Sequence, residues 1–346
     1  MTENRPQFTL PESYKELFDS FNSHMPSNES YEIVGGNGNE QLVQDVAILL
    51  NRDITSPAGL FPNDENEVKV TPNLRGRDVF VIQSMQPNPN THLQEVVLIG
   101  DAILRSDAGK ARIILPKIAY DRQDRKSESR TPISIGAVAD QIASAGYHSI
   151  LTVDIHAEQS MVAFHGPWDN IYGSKVLIPA IERQELQNPV VLAPDAGSVK
   201  RAEKYAQKLD ADVAVVIKRR KSPDESQAIY LAGDVQNKDV VIVDDVTTTG
   251  GSIINAGIRA KEAGANRVVA AVTHSELVKD RDGLTLLDKL SQKNNPIDRF
   301  ITTDTIFQSD MVRNHEKIDV VSVAPMLAVA IMCYLTGESI GRRLID

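Results

Sequence analysis

The stretch VVIVDDVTTTGGSI, residues 240–253, decides the fold of this chain. Its first half is a near-continuous aliphatic run, which is typical of a strand buried on both faces of a parallel sheet. Its second half is a turn rich in threonine and glycine. The turn leads into SIINAGIRAKEAG (252–264), where apolar residues recur three and four apart. The pattern therefore predicts a βα unit, in which a buried strand is followed by a tight turn and a helix.

Similar aliphatic runs recur along the chain, with helical patterns between them. The runs are YEIVG (31–35), DVFVIQ (78–83), ARIILPKI (111–118), HSILTVD (148–154), PVVLAP (189–194), ADVAVVIK (211–218), NRVVAAVTH (266–274), DRFITTD (298–304) and IDVVSV (318–323). The helical patterns include 93–106, 133–146 and 199–210. Strands that alternate with helices predict an α/β protein with mainly parallel sheets, whose ligands bind at the carboxyl ends of the strands.

The two halves of the chain also resemble each other. The matched stretches are RGRDVFVIQSM (75–85) with QNKDVVIVDDV (236–246), and AILRSDAGKARIIL (102–115) with AGIRAKEAGANRVVA (256–270). In this comparison Asp78 matches Asp239, and Arg112 matches Arg267. The similarity predicts two related α/β domains in tandem, and chance similarity of two βα units is the alternative.

Length and charge limit the class of protein. The 346 residues predict about two domains. Lysine and arginine number 37 against 47 aspartate and glutamate residues, which gives a formal net charge of −10. This charge argues against nonspecific binding to nucleic acid or to an anionic membrane, because both need a basic surface. It remains compatible with a small anionic substrate in a local basic pocket.

Cysteine usage and hydropathy fit a cytoplasmic protein. The sequence has a single cysteine, Cys333, so no intrachain disulfide is expected. The N-terminal residues do not have the apolar core of a signal peptide, and no run of about 18 apolar residues predicts a transmembrane helix. Residues 1–29 are interpreted as an extension ahead of the first strand.

The threonine-glycine loop, Thr247–Ser252, is the strongest local indication of chemistry. Such a turn exposes successive backbone N–H groups, and the N-terminus of the following helix adds positive potential, so both features suit a phosphate monoester. Asp244 and Asp245 precede the loop at the predicted strand end, where they suit the two hydroxyls of a ribose. No Gly-Lys-Ser/Thr follows, so the loop is not a Walker A motif. The alternative is a turn that only caps the helix.

This loop resembles the phosphoribosyl diphosphate (PRPP) binding loop of the type I phosphoribosyltransferase-like fold. The other stretches that carry a resemblance are IAYDRQDRKSESRTPIS (118–134), ILTVDIHAEQSMVAFHGPWDNIYGS (150–174), VVLAPDAGSVKRA (190–202), VIKRR (216–220) and VVSVAPMLAVAI (320–331). In this order they are similar to the ribose-phosphate diphosphokinases, or PRPP synthetases, from about residue 31 to residue 341. The resemblance implies transfer of a diphosphoryl group from ATP to the 1-hydroxyl of ribose 5-phosphate, giving PRPP and AMP.

The family fold has two tandem phosphoribosyltransferase-like domains, each a mainly parallel sheet flanked by helices. This agrees with the internal similarity of the sequence. We therefore expect an extension at 1–29, an N-terminal domain at 30–168 and a C-terminal domain at 169–346 that carries the PRPP loop. The C-terminal segment is open to packing back on the first domain.

The resemblance implies Mg²⁺ as cofactor. Asp154 and His156 alternate along a predicted strand end, so both side chains are expected on one side. In the family this Asp-Ile-His binds magnesium and the phosphates of ATP, and Asp195 matches a second acidic metal site. Imidazole is an uncommon ligand of Mg²⁺, so part of the role of His156 is expected to be hydrogen bonding to phosphate. The alternatives are a structural Asp/His pair and, for Asp195, a helix cap.

The resemblance also assigns contacts to ATP. The residues expected to bind ATP through the Arg-Gln-Asp-Arg-Lys run are Arg122, Gln123, Asp124 and Lys126. The adenine pocket of the family is built partly from a Phe-Ser-Asp-Gly-Glu string of a neighbouring subunit, which Phe61, Asn63 and Glu65 match in part. Asn63 replaces the family aspartate, and Asp64 replaces the glycine, so the local backbone is expected to differ. A solvated charged loop is the alternative for the Arg122 run.

Lys218 and Arg220 complete the predicted catalytic set with His156. They follow an aliphatic strand and match a family lysine and arginine that stabilise the transferring group from a mobile loop. A basic surface run is the alternative. If Lys218 and Arg220 meet Arg122 and Lys126 at one site, positive charge is concentrated there although the chain as a whole is acidic.

The ribose 5-phosphate site departs from the common family pattern at Thr248, which replaces an acid. The residues expected to bind this substrate are Asp244, Asp245, Thr248, Thr249, Gly250, Gly251 and Ser252. The altered loop favours a second interpretation, a phosphoribosyltransferase that consumes PRPP. Two further alternatives are a non-catalytic regulatory paralogue and transfer to another 5-phosphorylated ribose derivative.

The expected partners are the substrates ATP and ribose 5-phosphate and further copies of the same chain. The family forms homo-oligomers built from dimers, often hexamers, and the order for this chain stays open. No nucleic-acid or membrane partner is expected.

Overall fold

The computed structural model describes residues 10–21, 24–219 and 228–345 of the chain. Its strands are β1 (Tyr31–Gly35), β2 (Ala58–Leu60), β3 (Asn66–Val68), β4 (Asp78–Ile82), β5 (Ala111–Leu115), β6 (Ser149–Val153), β7 (Trp168–Ile171), β8 (Val190–Ala193), β9 (Asp212–Arg219), β10 (Ala228–Ala232), β11 (Asp239–Thr247), β12 (Arg267–Ser275), β13 (Arg299–Thr303) and β14 (Ile318–Val321). Its helices are α1 (Glu12–Phe21), α2 (Glu40–Leu49), α3 (Pro89–Arg105), α4 (Ser134–Ser144), α5 (Ser174–Glu182), α6 (Val199–Leu209), α7 (Gly251–Glu262), α8 (Leu286–Leu290), α9 (Asp310–Arg313) and α10 (Ala324–Thr336).

The α/β class predicted from the sequence is confirmed. Every aliphatic run quoted above forms a strand, and the four helical patterns form α3, α4, α6 and α7. Strands β2, β3 and β7 were not predicted, because they carry small or polar residues where the other strands carry aliphatic runs. Strand β10 was also missed, and it pairs antiparallel with β9.

The chain divides into two compact units. The first unit contains the described residues of Met1–Tyr172, Thr305–Phe307 and Ser322–Asp346, and the second contains those of Gly173–Asp304 and Gln308–Val321. This division falls slightly beyond the 168/169 boundary expected from the sequence, because β7 pairs with β6 and stays with the first sheet. The C-terminal segment lies in the first unit, where α10 packs against α2.

The sheet of the first unit has the order β1-β4-β5-β6-β7, and its strands are parallel. Apolar residues of α3 and α4 share a buried cluster with those of β4, β5 and β6. Helix α10 reaches the sheet through Tyr334, whose hydroxyl donates to Asp169 Oδ2 at 2.6 Å. The guanidinium of Arg112 lies over the rings of both Phe80 and Tyr334, 5.4 and 5.2 Å from their centroids. The C-terminal helix is therefore part of the core of this unit.

Part of the predicted N-terminal extension also belongs to the first unit. Helix α1 packs against α10, and Phe21 at its end is fully buried. The guanidinium of Arg343 lies 5.2 Å from the centroid of the Phe21 ring. The extension thus contributes a helix to the core.

The sheet of the second unit has the order β10-β9-β8-β11-β12-β13-β14, parallel except for the β9–β10 pair. Alternate residues of β11 enter two different apolar clusters. Val240 and Ile242 join the cluster that includes α7 and α8, whereas Val241 and Val243 join the one that includes α5 and α6. Strand β11 is therefore buried on both faces, as its continuous aliphatic run predicted.

The two sheets repeat one arrangement of parallel strands. The order β1-β4-β5-β6-β7 corresponds to β8-β11-β12-β13-β14, and Asp78 and Asp239 each begin the second strand of the series. The tandem relation predicted from the sequence is therefore confirmed for the order of the strands in the two sheets. The proposed match of Arg112 with Arg267 is wrong by two residues, because Arg112 pairs with Phe80 whereas Arg267 pairs with Asp239 itself.

Among the described residues, every helix is too short or too polar to cross a bilayer. Cys333 lies buried in α10, and burial raises the pKa of its thiol to about 11. The side chain therefore acts as a small apolar residue of the core.

Candidate functional site

The threonine-glycine loop lies at the carboxyl end of β11 and opens α7. Strand β11 continues through Asp244 and Asp245 to Thr247, so the two acids lie inside the strand and not at its end as predicted. Helix α7 begins at Gly251, which makes Gly251 and Ser252 its first two residues. The backbone N–H groups of a first helical turn have no intrahelical acceptor, so they are suited to an anion.

Gly250 is required at the turn for two reasons. It precedes α7 with φ of 78°, a left-handed conformation that favours glycine. A Cβ atom at this position would also lie 2.5 Å from Cδ1 of Leu286 on α8. The loop is thus closely packed against α8, which limits its freedom to rearrange.

The acidic pair is held by two side chains of α6 and the turn before it. Ser198 Oγ donates to Asp244 Oδ1 at 3.0 Å, and Arg201 Nη2 lies 3.7 Å from Asp245 Oδ1. Asp245 is buried and Asp244 is half-buried. Burial, followed by the charge of Asp245, raises the pKa of Asp244 to about 7. The pair therefore shares a proton near neutral pH in the unliganded protein.

Asp195 joins this group through Ser198. Its Oδ1 accepts from the backbone N–H groups of Gly197 and Ser198, at 2.9 and 3.2 Å, so it caps the turn that leads into α6. The same oxygen lies 3.3 Å from Ser198 Oγ, which also contacts Asp244. The cap considered as an alternative is therefore present, and it coexists with a position beside the acidic pair.

In the first unit, Asp154 and His156 follow β6 but do not alternate along it. Strand β6 ends at Val153, and Asp154 has φ of 42°, which is uncommon for a residue other than glycine. The extended alternation assumed from the sequence therefore breaks at Asp154. Asp154 is only 4% exposed, whereas His156 is exposed. A strained, buried acid at the carboxyl end of a parallel strand is a common feature of functional sites.

Two hydrogen bonds bring the Arg122–Lys126 run beside the segment that follows β6. Asp121 Oδ2 accepts from the backbone N–H of His156 at 3.3 Å, and Asp124 Oδ2 accepts from Gln159 Nε2 at 3.1 Å. Gln123 accepts from the Ser134 hydroxyl at the start of α4. Arg122 and Lys126 are exposed. Asp121 and Asp124 therefore anchor the run to this segment, and Gln123 anchors it to α4. The two predicted cationic ligands, Arg122 and Lys126, lie at the surface.

The β2–β3 hairpin carries Phe61, Asn63 and Glu65 at its tip. Phe61 is 45% exposed, and its N–H donates to the carbonyl of Glu65 at 2.8 Å. Asn63 Oδ1 lies 3.4 Å from the N–H of Glu65, so the amide also shapes the turn. Asp64 adopts φ of 65°, the conformation that a glycine would favour, so the backbone tolerates the replacement of glycine noted in the sequence. Both of these contacts with Glu65 are internal to the hairpin.

Lys218 and Arg220, which are predicted to act in the transfer, lie at the edge of the described residues. The backbone of Lys218 belongs to β9, where it pairs with Ile229 of β10. Its side chain and the whole of Arg220 lie outside the described residues.

Comparison with known proteins decides the family. A model of the N-terminal domain of ribose phosphate pyrophosphokinase matches residues 31–146, and a phosphoribosyl transferase domain matches residues 169–315. The ribose-phosphate pyrophosphokinase of Buchnera aphidicola subsp. Schizaphis graminum is 38% identical over 314 residues, which are 89% of this chain and 97% of the relative. The chain belongs to the ribose-phosphate pyrophosphokinase family.

Further relatives support this assignment. The ribose-phosphate pyrophosphokinase of Haemophilus ducreyi is 37% identical over 313 residues, covering 89% of this chain and 97% of its own length. The crystal structure of phosphoribosylpyrophosphate synthetase from Mycobacterium smegmatis matches with a TM-score of 0.81 and 32% identity, over 89% of this chain and 99% of that one. The resemblance predicted from the motifs is confirmed, since pyrophosphokinase and diphosphokinase name the same activity.

Some residues of the candidate site were not predicted from the sequence. Ser198 links Asp195 to Asp244, Arg201 faces Asp245, and the buried Lys117 pairs with Asp121 behind the Arg122 run. The spacing Asp195-x-x-Ser198 is that of a helix cap and offered a signal for the first of them. The partners of Arg201 and Lys117 are set by the tertiary fold, which no local pattern encodes.

Proposed function

We propose that this chain transfers the diphosphoryl group of ATP to the 1-hydroxyl of ribose 5-phosphate, forming PRPP and AMP. The observation that carries the proposal is the match to ribose-phosphate pyrophosphokinases over 97% of the relative's length, which covers both units. Each unit carries a group of polar residues at the carboxyl ends of parallel strands, where α/β proteins bind their ligands. The proposed roles follow from those two groups.

The second unit is proposed to hold the sugar phosphate. The first-turn N–H groups of α7 and the hydroxyls of the threonine-glycine loop suit the three acceptor oxygens of a 5-phosphate. Asp244 and Asp245 suit the 2- and 3-hydroxyls of the ribose, because a carboxylate accepts from a hydroxyl and a protonated carboxyl donates to one. The raised pKa of Asp244, at about 7, gives the pair one donor near neutral pH. The site thus fits both ends of ribose 5-phosphate.

The first unit is proposed to hold the nucleotide. Arg122 and Lys126 are exposed cations beside the segment of His156, so they suit a triphosphate. The exposed ring of Phe61, supplied by a neighbouring copy of the chain, suits stacking on adenine, and Asn63 and Glu65 of that copy offer acceptors to its amino group. Because Asn63 has no charge, a looser preference for ATP over other nucleotides is part of the proposal.

A divalent cation, Mg²⁺, belongs to the proposed reaction. Among the described residues, no group of three or more metal-ligating side chains is present. Mg²⁺ keeps several waters and binds through one or two carboxylates together with substrate phosphates, so single acids such as Asp154 and Asp195 suit it. Asp154 and His156 are the proposed contacts at one metal site, His156 in part through a hydrogen bond to phosphate, and Asp195 is the proposed contact at a second. When bound, the ion neutralises phosphate charge and aligns the triphosphate.

The proposed reaction is a displacement at the β-phosphorus. The 1-hydroxyl oxygen forms a bond to that phosphorus, the bond from the β-phosphorus to the oxygen bridging it to the α-phosphate breaks, and AMP leaves. The hydroxyl proton passes to solvent or to an acceptor at the site. Lys218 and Arg220 are proposed to stabilise the charge that develops on the transferring group. Positioning and charge neutralisation, with little covalent chemistry by the protein, account for such a transfer.

A substrate panel tests the proposal. Purified protein is supplied with Mg²⁺, ribose 5-phosphate and ATP, GTP or another nucleotide, and nucleoside monophosphate and PRPP are measured. AMP and PRPP in equal amounts are expected from ATP, with loss of both in Lys218→Ala and near-normal rates in Lys208→Ala, an exposed lysine of α6. Release of diphosphate from PRPP and a base, without need for ATP, would support a phosphoribosyltransferase instead. Activity only with another 5-phosphorylated ribose derivative would change the acceptor.

Assembly and location complete the proposal. We expect a homo-oligomer built from dimers, which analytical ultracentrifugation of the purified chain measures directly. A cytoplasmic location is consistent with the buried thiol of Cys333 and with the need for ATP.

A further inference from the structure

The threonine-glycine loop accepts hydrogen bonds at three successive carbonyl groups. The carbonyls of Thr247, Thr248 and Thr249 accept hydrogen bonds from the N–H of Glu276 at 2.9 Å, the N–H of Val278 at 2.9 Å and Nζ of Lys289 at 2.7 Å, respectively. The first two donors belong to the backbone. The third is a side chain of α8, so it is the one that substitution can remove.

These contacts set the direction of the amide groups in the loop. In a trans peptide the C=O and N–H bonds point in opposite directions. A donor that fixes a carbonyl therefore also fixes the N–H of the next residue, which points away from that donor, and this applies to Thr248, Thr249 and Gly250. The Thr249–Gly250 peptide needs such a contact most, because glycine at φ of 78° has the widest conformational freedom of the three positions.

Lys289 is itself fixed in place. Its Nζ lies 2.7 Å from Asp280 Oδ2, and its side chain is only 14% exposed. Asp280 is held in turn, since its Oδ1 accepts from the N–H groups of Asp282 and Leu284 at 2.9 and 3.0 Å. The hydrogen bond from Lys289 is the main cause that lowers the pKa of Asp280. The ammonium group thus meets the loop carbonyl in one defined position.

We propose that Lys289, held by Asp280, is a positioning residue of the phosphate site. It fixes the Thr249–Gly250 peptide with the Gly250 N–H directed to the bound phosphate, and its charge polarises that peptide so that the N–H is a stronger donor. Lys289 acts through the loop and does not touch the substrate. The inference rests on the proposed function, in which this loop binds the 5-phosphate of the sugar.

Lys261 provides a matched control in the same unit. Its Nζ donates to the carbonyl of Asn266 at 2.7 Å and to Asp298 Oδ2 at 2.8 Å, the same pair of partner types that Lys289 has. It lies on α7 near the end remote from the loop. Lys261→Met therefore removes an equivalent lysine without disturbing the loop carbonyl.

The test measures binding of ribose 5-phosphate by calorimetry to the full chain and to Lys289→Met, Lys289→Arg and Lys261→Met. Loss of a charged hydrogen bond is expected to raise the Kd in Lys289→Met by about 10-fold or more. Lys289→Arg should recover part of the affinity, Lys261→Met should match wild type, and Kd for ATP should stay unchanged in all. Hydrogen exchange of a peptide covering 247–252 should be faster in Lys289→Met alone.

Each outcome decides a different statement. Wild-type affinity and exchange in Lys289→Met overturn the positioning role and leave the proposed function standing. If the wild-type protein does not bind ribose 5-phosphate, the proposed acceptor is wrong, and so is the proposed role of Lys289 in binding it. If Lys289→Met does not fold, Asp280→Asn replaces it in the test. This variant is expected to raise the Kd for ribose 5-phosphate, by less than Lys289→Met would. An unchanged Kd in Asp280→Asn then counts against the proposal.

Discussion

Lys117 and Asp121 form an ion pair with 2.6 Å between Nζ and Oδ2, and their side chains are only 2% and 4% exposed. The same Oδ2 accepts from the backbone N–H of His156 at 3.3 Å. Lys117 follows β5, whereas His156 follows β6. One buried carboxylate therefore ties together the two strand ends that carry the proposed nucleotide-binding residues.

Removal of one partner of this pair is expected to destabilise the protein strongly. Asp121→Asn leaves Lys117 buried without a counter-charge, at a cost of about 3–5 kcal/mol in the free energy of unfolding. Urea denaturation measures the change. Asp101→Asn is the control, because its pair with Arg105 is exposed and screened by solvent, so its loss should change stability little.

The double variant Lys117→Met/Asp121→Leu separates stability from function. Apolar replacements of a buried pair are often close to neutral for stability, so most of the lost stability should return. The acceptor for the His156 N–H does not return, and kcat should stay below that of wild type. Full activity in the double variant would show that the pair serves stability alone.

Gly250→Ala is expected to weaken sugar-phosphate binding as well as stability. A left-handed conformation costs a residue with a Cβ roughly 1–2 kcal/mol, and the contact with Leu286 adds about 1–3 kcal/mol of overpacking. Gly76→Ala is the control, since its φ of 71° is similar and nothing lies within 4 Å of the added Cβ. Thermal unfolding and KM for ribose 5-phosphate measure the two effects. Equal changes in both variants would contradict the role of packing against Leu286.

Much of the fold was predictable because burial on both faces leaves a direct mark on the sequence. Val240–Val243 are aliphatic without interruption, and alternate side chains enter two clusters. Strands β2 and β3 carry no such mark, since they pair only with each other outside the main sheets. The match of Arg112 with Arg267 failed because sequence similarity does not fix register, which depends on how neighbouring strands pair.

The candidate site was predictable to the level of segments but not of contacts. The threonine-glycine loop was located from its composition, and its position before α7 follows from helix-start chemistry. The left-handed turn at Asp154 left no local signal, because aspartate also occupies ordinary extended backbone. Lys289 lies 40 positions along the chain from Thr249, the loop residue whose carbonyl it holds. Pairing over such a distance is decided by tertiary packing, so no spacing rule could have found it.

The acidic pair predicts a pH dependence of stability. Asp244 has a pKa of about 7 in the folded protein against an ordinary value of 3.8, so the folded state holds a proton that the unfolded state has lost between these values. Its contribution to stability is complete below pH 3.8 and is lost as the pH rises through about 7. The difference in unfolding free energy between wild type and Asp244→Asn should therefore fall from pH 5 to pH 8, without substrates or metal. Asp140→Asn, an exposed aspartate of α4, should show no such trend.

Ser198→Ala is expected to raise the pH at which the acidic pair loses its proton. The hydroxyl of Ser198 donates to Asp244 Oδ1 at 3.0 Å, and this hydrogen bond lowers the pKa of Asp244 against the upward effect of burial. Without the hydroxyl, the neutral carboxyl persists to higher pH. The fall in stability just described should then shift to higher pH, and any activity that needs the ionised carboxylate should show the same shift in its acidic limb. Ser144→Ala is the control, because the Ser144 hydroxyl donates to the carbonyl of Asp140 in its own helix, α4. An unshifted profile in Ser198→Ala, with the protein folded, would show that Ser198 serves as part of the cap at Asp195 and does not tune the pair.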